Sequence, residues 1–99
     1  MKNFNERCYA VLKKVPKGKV TTYKAIAKKL NSKAYRAVGN AMNKNPYAPQ
    51  VPCHRVINSD GKLGGFASGI KNKIKLLKSE GVEVKDNTVD LKKFEFKRL

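Results

Sequence analysis

The sequence predicts a mainly α-helical domain with a small β component, organised as a helix-turn-helix (winged-helix-like) unit and followed by a C-terminal hairpin. Three observations predict this fold class. Apolar side chains recur at helical spacing in four separate segments of the 99 residues. The second and third segments are short and are joined by a tight turn, as in a helix-turn-helix. Between the third and fourth segments, the three prolines within residues 46–52 exclude a helix and favour extended backbone.

The first two predicted helices are separated by Pro16 and Gly18, which end the first helix over residues 4–14. Cys8 lies in the apolar stripe of that helix, so we expect it to be a small buried core residue. Thr22 has the side chain and position to cap the second helix. The inner face of the second helix is predicted to consist of Ile26, Ala27 and Leu30.

The third predicted helix runs from about Lys33 to Asn43, after a break and cap at Asn31-Ser32, and Pro46 closes it. It is basic and rich in small residues, which favours the recognition helix of a helix-turn-helix. Many helical hairpins bind nothing, so the pattern alone leaves a purely structural pair open. The residues predicted to face inward are Val38, Ala41 and Met42.

The remainder of the chain contains a turn signal at 59–62 and a glycine-rich loop at 63–69. Ser68 is predicted to cap a fourth helix over residues 69–79, and Gly81 to end it. Residues 82–96 alternate around Asp86-Asn87, which predicts the terminal hairpin. The residues of the fourth helix predicted to face the core are Ile70, Ile74 and Leu77.

The charge is far from neutral and is unevenly distributed. The formal net charge is +16, and the span from Arg7 to Ser59 contains twelve Lys and Arg residues but no Asp or Glu. Such a surplus indicates a polyanionic partner. Nucleic acid is favoured over an anionic membrane, because the sequence shows no amphipathic anchor or lipidation signal.

Several classes of protein and site are excluded by the same reading. No apolar run approaches the roughly 18 residues of a spanning helix, so we expect a cytoplasmic, intracellular protein (nuclear if eukaryotic) with no membrane association. Two cysteines in a reducing compartment should stay unpaired. Two Cys and one His lack the spacing of a metal site, so we expect no metal and no cofactor. The length corresponds to a single domain over residues 1–99.

The candidate chemistry lies in Pro52-Cys53-His54-Arg55, which contains the chain's single histidine. A cysteine attacks as its thiolate and needs a base or an electropositive setting. In extended backbone, neighbouring side chains point apart, so we expect a water to link Cys53 to His54. Glu80 is the candidate to orient the histidine. Taken alone, an adjacent Cys and His is weak support for catalysis, because the pair also occurs by chance.

Further motifs accompany this segment, and together they resemble the O6-alkylguanine-DNA alkyltransferases, also called methylated-DNA–protein-cysteine methyltransferases. The similarity is strongest over residues 15–81, and its ordered motifs are highly specific. The matching segments are Gly18–Ala27, Arg36–Met42, Asn45-Pro46, Pro52–Ile57, Gly61–Phe66 and Glu80-Gly81.

The resemblance implies DNA repair by irreversible, one-turnover transfer of a methyl or alkyl group from O6 of guanine. Cys53 would be the nucleophile and so the acceptor. His54, oriented by Glu80, would deprotonate it through a water. Tyr23 would donate a hydrogen bond to the departing guanine, and Asn45 would brace the turn that presents the cysteine.

The resemblance also implies a partner, double-stranded DNA containing O6-alkylguanine, bound by a monomer that flips the damaged nucleotide out of the stack. Arg36 would fill the vacated place, while Ala34, Ala37 and Gly39 would let the helix enter a minor groove. Tyr35 stands where the family commonly has a small residue. The substrate pocket would include Val56, Gly64, Phe66, Ala67 and Ser68.

Two other functions stay open at this point. Alkyltransferase-like proteins resemble this scaffold but only flag lesions, commonly with tryptophan in place of the cysteine, whereas this chain has Cys53 and no tryptophan. A transcription regulator would use the same helix-turn-helix for sequence readout and would show tight sequence preference. The family usually carries another domain before the matched region, and we expect it to be missing here.

Overall fold

A computed structural model describes residues 3–47, 50–65 and 69–99. It confirms a mainly α-helical fold with a small sheet. The elements are α1 (Phe4–Leu12), β1 (Thr21–Thr22), α2 (Tyr23–Lys29), α3 (Tyr35–Asn43), a single 3-10 turn (Cys53–Arg55), β2 (Val56–Ile57), α4 (Ile70–Ser79) and α5 (Leu91–Phe94).

Helices α1, α2 and α3 pack against one another around a common apolar core, and α2 and α3 form the predicted helix-turn-helix. Thr22 caps α2 as predicted, with its hydroxyl accepting from the Ala25 N–H at 3.0 Å. The prediction for the start of α3 was two residues early. The Ser32 hydroxyl accepts from the Ala34 N–H at 3.0 Å, which stabilises the turn before the helix, and α3 itself begins at Tyr35 without a side-chain cap.

Strands β1 and β2 pair in parallel, with Thr21 opposite Val56 and Thr22 opposite Ile57. Because alternate side chains of a strand point to opposite faces, Val56 packs in the core of α1–α3 while Ile57 packs in a second apolar cluster under α4. This pairing fixes the end of the proline-rich segment beside the start of α2. It therefore positions the predicted catalytic segment against the helix-turn-helix.

The predicted C-terminal hairpin is reduced to one tight turn. Asp86 and Asn87 have φ of 52° and 57°, as in a type I′ turn, and Lys85 bridges Thr88 across it. A second strand does not follow, because Asp90 caps α5 by accepting from the Lys92 N–H at 3.0 Å. The alternation over 82–96 therefore reflects turn and helix burial rather than two paired strands.

Residues 94–96 return to the beginning of β1. The Val20 N–H donates to the Phe94 carbonyl at 2.9 Å, and the Phe96 N–H donates to the Val20 carbonyl at 2.8 Å. Val20 and Phe94 belong to the second apolar cluster, which also contains Leu77 of α4. These contacts extend the edge of the small sheet with residues from far along the chain.

The two cysteines are free and both buried. Cys8 lies in the α1 core as predicted, and burial raises the pKa of its thiol to about 11. Its thiolate is therefore scarce at neutral pH. No helix in the described ranges has the length and apolar character needed to cross a bilayer.

Candidate functional site

Cys53 opens a 3-10 turn, which corrects the prediction of extended backbone at this point. The Arg55 N–H donates to the Pro52 carbonyl at 2.9 Å and closes the turn. Pro52 permits this because proline restricts the residue before it, while its own fixed φ is compatible with the first turn of a helix. Consecutive side chains of a 3-10 turn diverge by about 120°. Cys53 and His54 therefore still point in different directions, and His54 faces Glu80.

Glu80 contacts two residues of this turn. Its Oε1 lies 3.1 Å from Nε2 of His54, although the angle falls short of a hydrogen bond. Arg55 donates to both oxygens of the same carboxylate, from Nε to Oε1 at 2.9 Å and from Nη2 to Oε2 at 2.6 Å. The remaining Arg55 nitrogen, Nη1, donates to the Val15 carbonyl at 2.9 Å. Arg55 thus connects the 3-10 turn to the segment that follows α1 and to the residue that follows α4.

The charge states of this group follow from burial and pairing. Burial lowers the pKa of His54, while the Glu80 carboxylate opposes that shift. Burial alone would raise the pKa of Glu80, but the hydrogen bond from Arg55 and the nearby His54 outweigh it, so the pKa is lowered. At neutral pH the site therefore contains a neutral imidazole beside an ionised carboxylate, which is the protonation state that a base requires.

The Asn45 side chain forms hydrogen bonds with two backbone groups of the proline-rich segment. Its Nδ2 donates to the Val51 carbonyl at 2.7 Å, and its Oδ1 accepts from the Tyr47 N–H at 2.9 Å. The Cys53 N–H in turn donates to the Val51 carbonyl at 2.9 Å. One carbonyl thus links the Asn45 side chain to the backbone of the cysteine.

Lys73 is the residue of this site that the sequence reading missed. Its side chain is fully buried on α4, and Nζ donates to the carbonyls of Val56 and Leu63, each at 2.7 Å, and of Gly65 at 3.3 Å. The signal was present in the spacing of Ile70, Lys73 and Leu77, which falls on one helical face. Lysine is seldom fully buried, and Lys71, Lys75 and Lys78 stand on the same helix, so the residue type masks this signal.

Lys73 and Tyr23 form the electrostatic surroundings of Cys53. Burial lowers the pKa of Lys73 to about 8, and the nearby Cys53 opposes this shift. Burial and the proximity of Cys53 raise the pKa of Tyr23, so its hydroxyl keeps its proton and can donate a hydrogen bond. Nζ of Lys73 lies 6.0 Å from the centre of the Tyr23 ring. Lys73 therefore contributes a positive charge, and Tyr23 a hydroxyl donor, to the surroundings of Cys53.

A cleft of about 630 Å³ opens next to this group. Tyr23, at the first position of α2, is shared by the cleft and by the surroundings of Cys53. On the α3 side the cleft is lined by Tyr35, Arg36 and Gly39. No heavy atom outside the helix and its chain neighbours lies within 4 Å of where a Gly39 Cβ would be, so this part of α3 is open to an incoming surface.

The other predicted residues divide into four groups. Ala34 is exposed and directly precedes α3, and Ala37 is half-buried in the first turn of α3. Val56 is fully buried in the core, so its side chain lies away from the predicted pocket wall, and its carbonyl instead accepts from Lys73. Gly64 adopts φ of 69° with Asn58 only 3.1 Å from where a Cβ would stand, which requires glycine. Phe66, Ala67 and Ser68 lie outside the described residues.

Residues 3–82 match the model of one protein family, the 6-O-methylguanine DNA methyltransferase, DNA binding domain. The chain belongs to this family. Among its methyltransferase relatives, the methylated-DNA–protein-cysteine methyltransferase of Methanosarcina acetivorans is 53% identical over 79 residues, which are 79% of this chain and 51% of that protein. The chain therefore spans about half the length of the curated methyltransferases it matches.

Two solved structures superimpose on the fold. Mycobacterium tuberculosis OGT in complex with DNA matches with a TM-score of 0.77 at 41% identity, covering 82% of this chain and 50% of that one. S. pombe Atl1, in complex with damaged DNA containing O6-carboxymethylguanine, matches with a TM-score of 0.86 at 31% identity, covering 98% of this chain and 99% of Atl1. Both matches agree with a helix-turn-helix-like fold.

Proposed function

We propose that this chain repairs DNA by transferring an alkyl group from O6 of guanine to Cys53, once per molecule. The observation that carries the proposal is the placement of Cys53. It stands at the start of a rigid turn, with the Lys73 cation and the Tyr23 hydroxyl nearby, and Tyr23 lines the cleft that Arg36 borders. A nucleophile, a cation and a hydrogen-bond donor beside an open cleft suit displacement at an alkyl carbon.

In the proposed reaction, the Cys53 thiol first gives its proton to His54 through a bridging water. The sulfur then attacks the alkyl carbon, an S–C bond forms, and the bond between that carbon and O6 breaks with its electron pair passing to the guanine. Tyr23 stabilises the resulting negative charge by hydrogen bonding, and the guanine takes up a proton. The thioether left on Cys53 has no leaving group that the site could expel, so each molecule acts once.

Double-stranded DNA containing O6-alkylguanine is the proposed partner. The O6 position of a paired guanine is stacked inside the duplex, so the nucleotide must leave the stack before Cys53 can reach it. Arg36 is exposed on α3 at the edge of the cleft and has the reach to occupy the vacated place. The acid-free span from Arg7 to Ser59 supplies positive charge for the phosphates around it.

A second candidate is lesion recognition without chemistry, and the match over nearly the whole of both chains to Atl1 favours it. This alternative predicts tight binding to O6-alkylguanine in duplex DNA and no change in the mass of the protein. Cys53 favours alkyl transfer over this alternative. A protein that only binds the lesion needs neither a nucleophilic thiol nor a buried lysine beside it.

Intact-mass spectrometry separates the two candidates. The protein is mixed with a duplex carrying one O6-methylguanine, and a gain of one methyl per chain, located in the Cys53 peptide, is expected. Cys53→Ala should gain nothing, and Cys8→Ala should behave as wild type because that thiol is buried and scarcely ionised. Retained lesion binding without any mass change would favour lesion recognition. No mass change together with equal binding to damaged and undamaged duplex would exclude both.

A further inference from the structure

Tyr35 is an unusual residue for the first position of α3. It is 46% exposed, and Tyr47 is the other large apolar side chain that is exposed in the described ranges. Tyr47 is held in place, because its hydroxyl donates to Glu6 at 3.2 Å and its ring packs edge-to-face on Tyr9. Among the described residues, by contrast, none makes a hydrogen bond or a ring contact with the Tyr35 side chain. A single exposed aromatic ring does not by itself mark a contact surface, so the position of Tyr35 beside the cleft carries the argument.

The position of the ring indicates what that contact is. Tyr35 lines the 630 Å³ cleft together with Tyr23 and Arg36, and it also lines a neighbouring cavity of about 310 Å³. The second cavity is bordered by three lysines, Lys24, Lys28 and Lys33. Tyr35 and Lys24 line both cavities, so the tyrosine lies between a cleft suited to a flipped nucleotide and a basic recess suited to the phosphates beside it.

We propose that Tyr35 is a second wedge residue, which stacks on the base next to the place that Arg36 fills; this inference rests on the proposed function. Tyr35 and Arg36 are consecutive on the helix, so their side chains diverge by about 100° and enter neighbouring steps of the duplex rather than the same one. Apolar side chains inserted between base steps in a minor groove unstack and kink them. Tyr35 therefore holds open the step that flipping disrupts.

The physical consequence is a lower free-energy penalty for keeping the damaged nucleotide out of the stack. Flipping leaves the neighbouring base without a stacking partner on one face, and an aromatic ring restores that contact. Because the Tyr35 side chain is 46% exposed and makes no hydrogen bond or ring contact with the described residues, truncation should leave the fold intact. Tyr35→Ala should therefore weaken binding to lesion duplex about tenfold, and Tyr35→Phe should bind as wild type, since stacking needs the ring and not the hydroxyl.

The experiment is done in the Cys53→Ala background, so that binding and flipping are measured without reaction. A duplex carries O6-methylguanine with the fluorescent base 2-aminopurine as its neighbour. The affinity and the change in fluorescence are measured by titrating this duplex with the parent protein and with its variants Tyr35→Phe, Tyr35→Leu and Tyr35→Ala. Flipping leaves 2-aminopurine without its stacking neighbour, and stacking on the tyrosine ring should quench its fluorescence. Tyr35→Ala should therefore bind more weakly and give a brighter reporter. Tyr35→Phe should match its parent, and Tyr35→Leu should lie between the two.

Equal affinity and equal fluorescence for Tyr35→Ala and its parent would overturn the inference. So would equal losses for Tyr35→Phe and Tyr35→Ala, because the hydroxyl and not the ring would then make the contact. Methyl transfer by the chain with Cys53 intact is measured separately by mass. If that transfer is absent while the Tyr35 effects appear, the proposed function fails and the wedge remains. If transfer occurs without the Tyr35 effects, the wedge fails alone.

Discussion

Arg55 binds Glu80 through two parallel hydrogen bonds, at 2.9 and 2.6 Å, and the same carboxylate lies 3.1 Å from His54. The two hydrogen bonds from Arg55 fix the orientation of the carboxylate, and its interaction with His54 is the weaker of the two. Both side chains of the pair are largely buried, at 15% and 11% exposure. Glu80 is therefore primarily the counter-charge of Arg55 and only secondarily the orienter of His54, which gives it a structural role that the sequence reading did not assign.

Replacing Glu80 by Gln should destabilise the fold. The variant leaves the Arg55 guanidinium largely buried without a counter-charge, and we expect the free energy of unfolding to fall by about 3 kcal/mol. Urea denaturation at pH 7 measures it. Glu83→Gln is the matched control, because its ion pair with Lys93 is exposed and should contribute little. If Glu80→Gln lost alkyl transfer with unchanged stability, the carboxylate would serve His54 alone.

The stability contributed by Glu80 should depend on pH in a defined direction. Its pKa is lowered in the folded protein, so the contribution is fully present above its ordinary pKa of 4.5 and is lost as the pH falls through the lowered value. The difference in unfolding free energy between wild type and Glu80→Gln should accordingly shrink below about pH 4.5. Urea titrations at pH steps from 7 to 3 test this, and a difference that stayed constant would contradict the assignment.

Replacing Lys73 by Met should lower both stability and activity. The variant leaves the carbonyls of Val56, Leu63 and Gly65 without their donor, so the free energy of unfolding at pH 7 should fall by about 1–3 kcal/mol. Alkyl transfer should slow about tenfold or more, because the cation beside Cys53 is gone. The rate advantage of wild type should narrow above pH 8, where Lys73 itself loses its proton. A folded Lys73→Met variant that transfers the alkyl group at the wild-type rate would show that Lys73 has a structural role only.

Replacing Arg36 by Ala should slow repair of duplex DNA about tenfold and leave reaction with free O6-benzylguanine unchanged, because only the duplex requires flipping. Rapid-quench kinetics on both substrates give the comparison. Lys33→Ala removes one exposed cation two residues before α3 and should weaken duplex binding through its phosphate contact alone. Equal slowing of Arg36→Ala on both substrates would contradict a role in flipping.

Helical periodicity predicted the helix-turn-helix and α4. Helix α3 buries all three residues expected. Among the others, Ile26, Ala27 and Leu77 are buried as expected, whereas Leu30, Ile70 and Ile74 are half-buried. Two features lay beyond that reasoning. The 3-10 turn at Cys53 depends on the hydrogen bond from Arg55 to Pro52 and on β1 pairing across the fold, which no local rule contains. Lys73 is buried only because three backbone carbonyls from distant segments converge on it. Tertiary contacts decide both.

The backbone hydrogen bonds between Val20 and residues 94–96 bear on the order in which the protein can assemble. Helices α1–α3 contact one another and all lie within the first 43 residues, so they can pack together before the rest of the chain has been synthesised. The strand that precedes α2 receives its flanking partner only after residue 96 has been synthesised. Because β1 also positions Tyr23 and the Cys53 turn, the helix-turn-helix should fold during translation while the reactive centre is completed last. A nascent chain would then have its DNA-facing helices before it has a competent nucleophile.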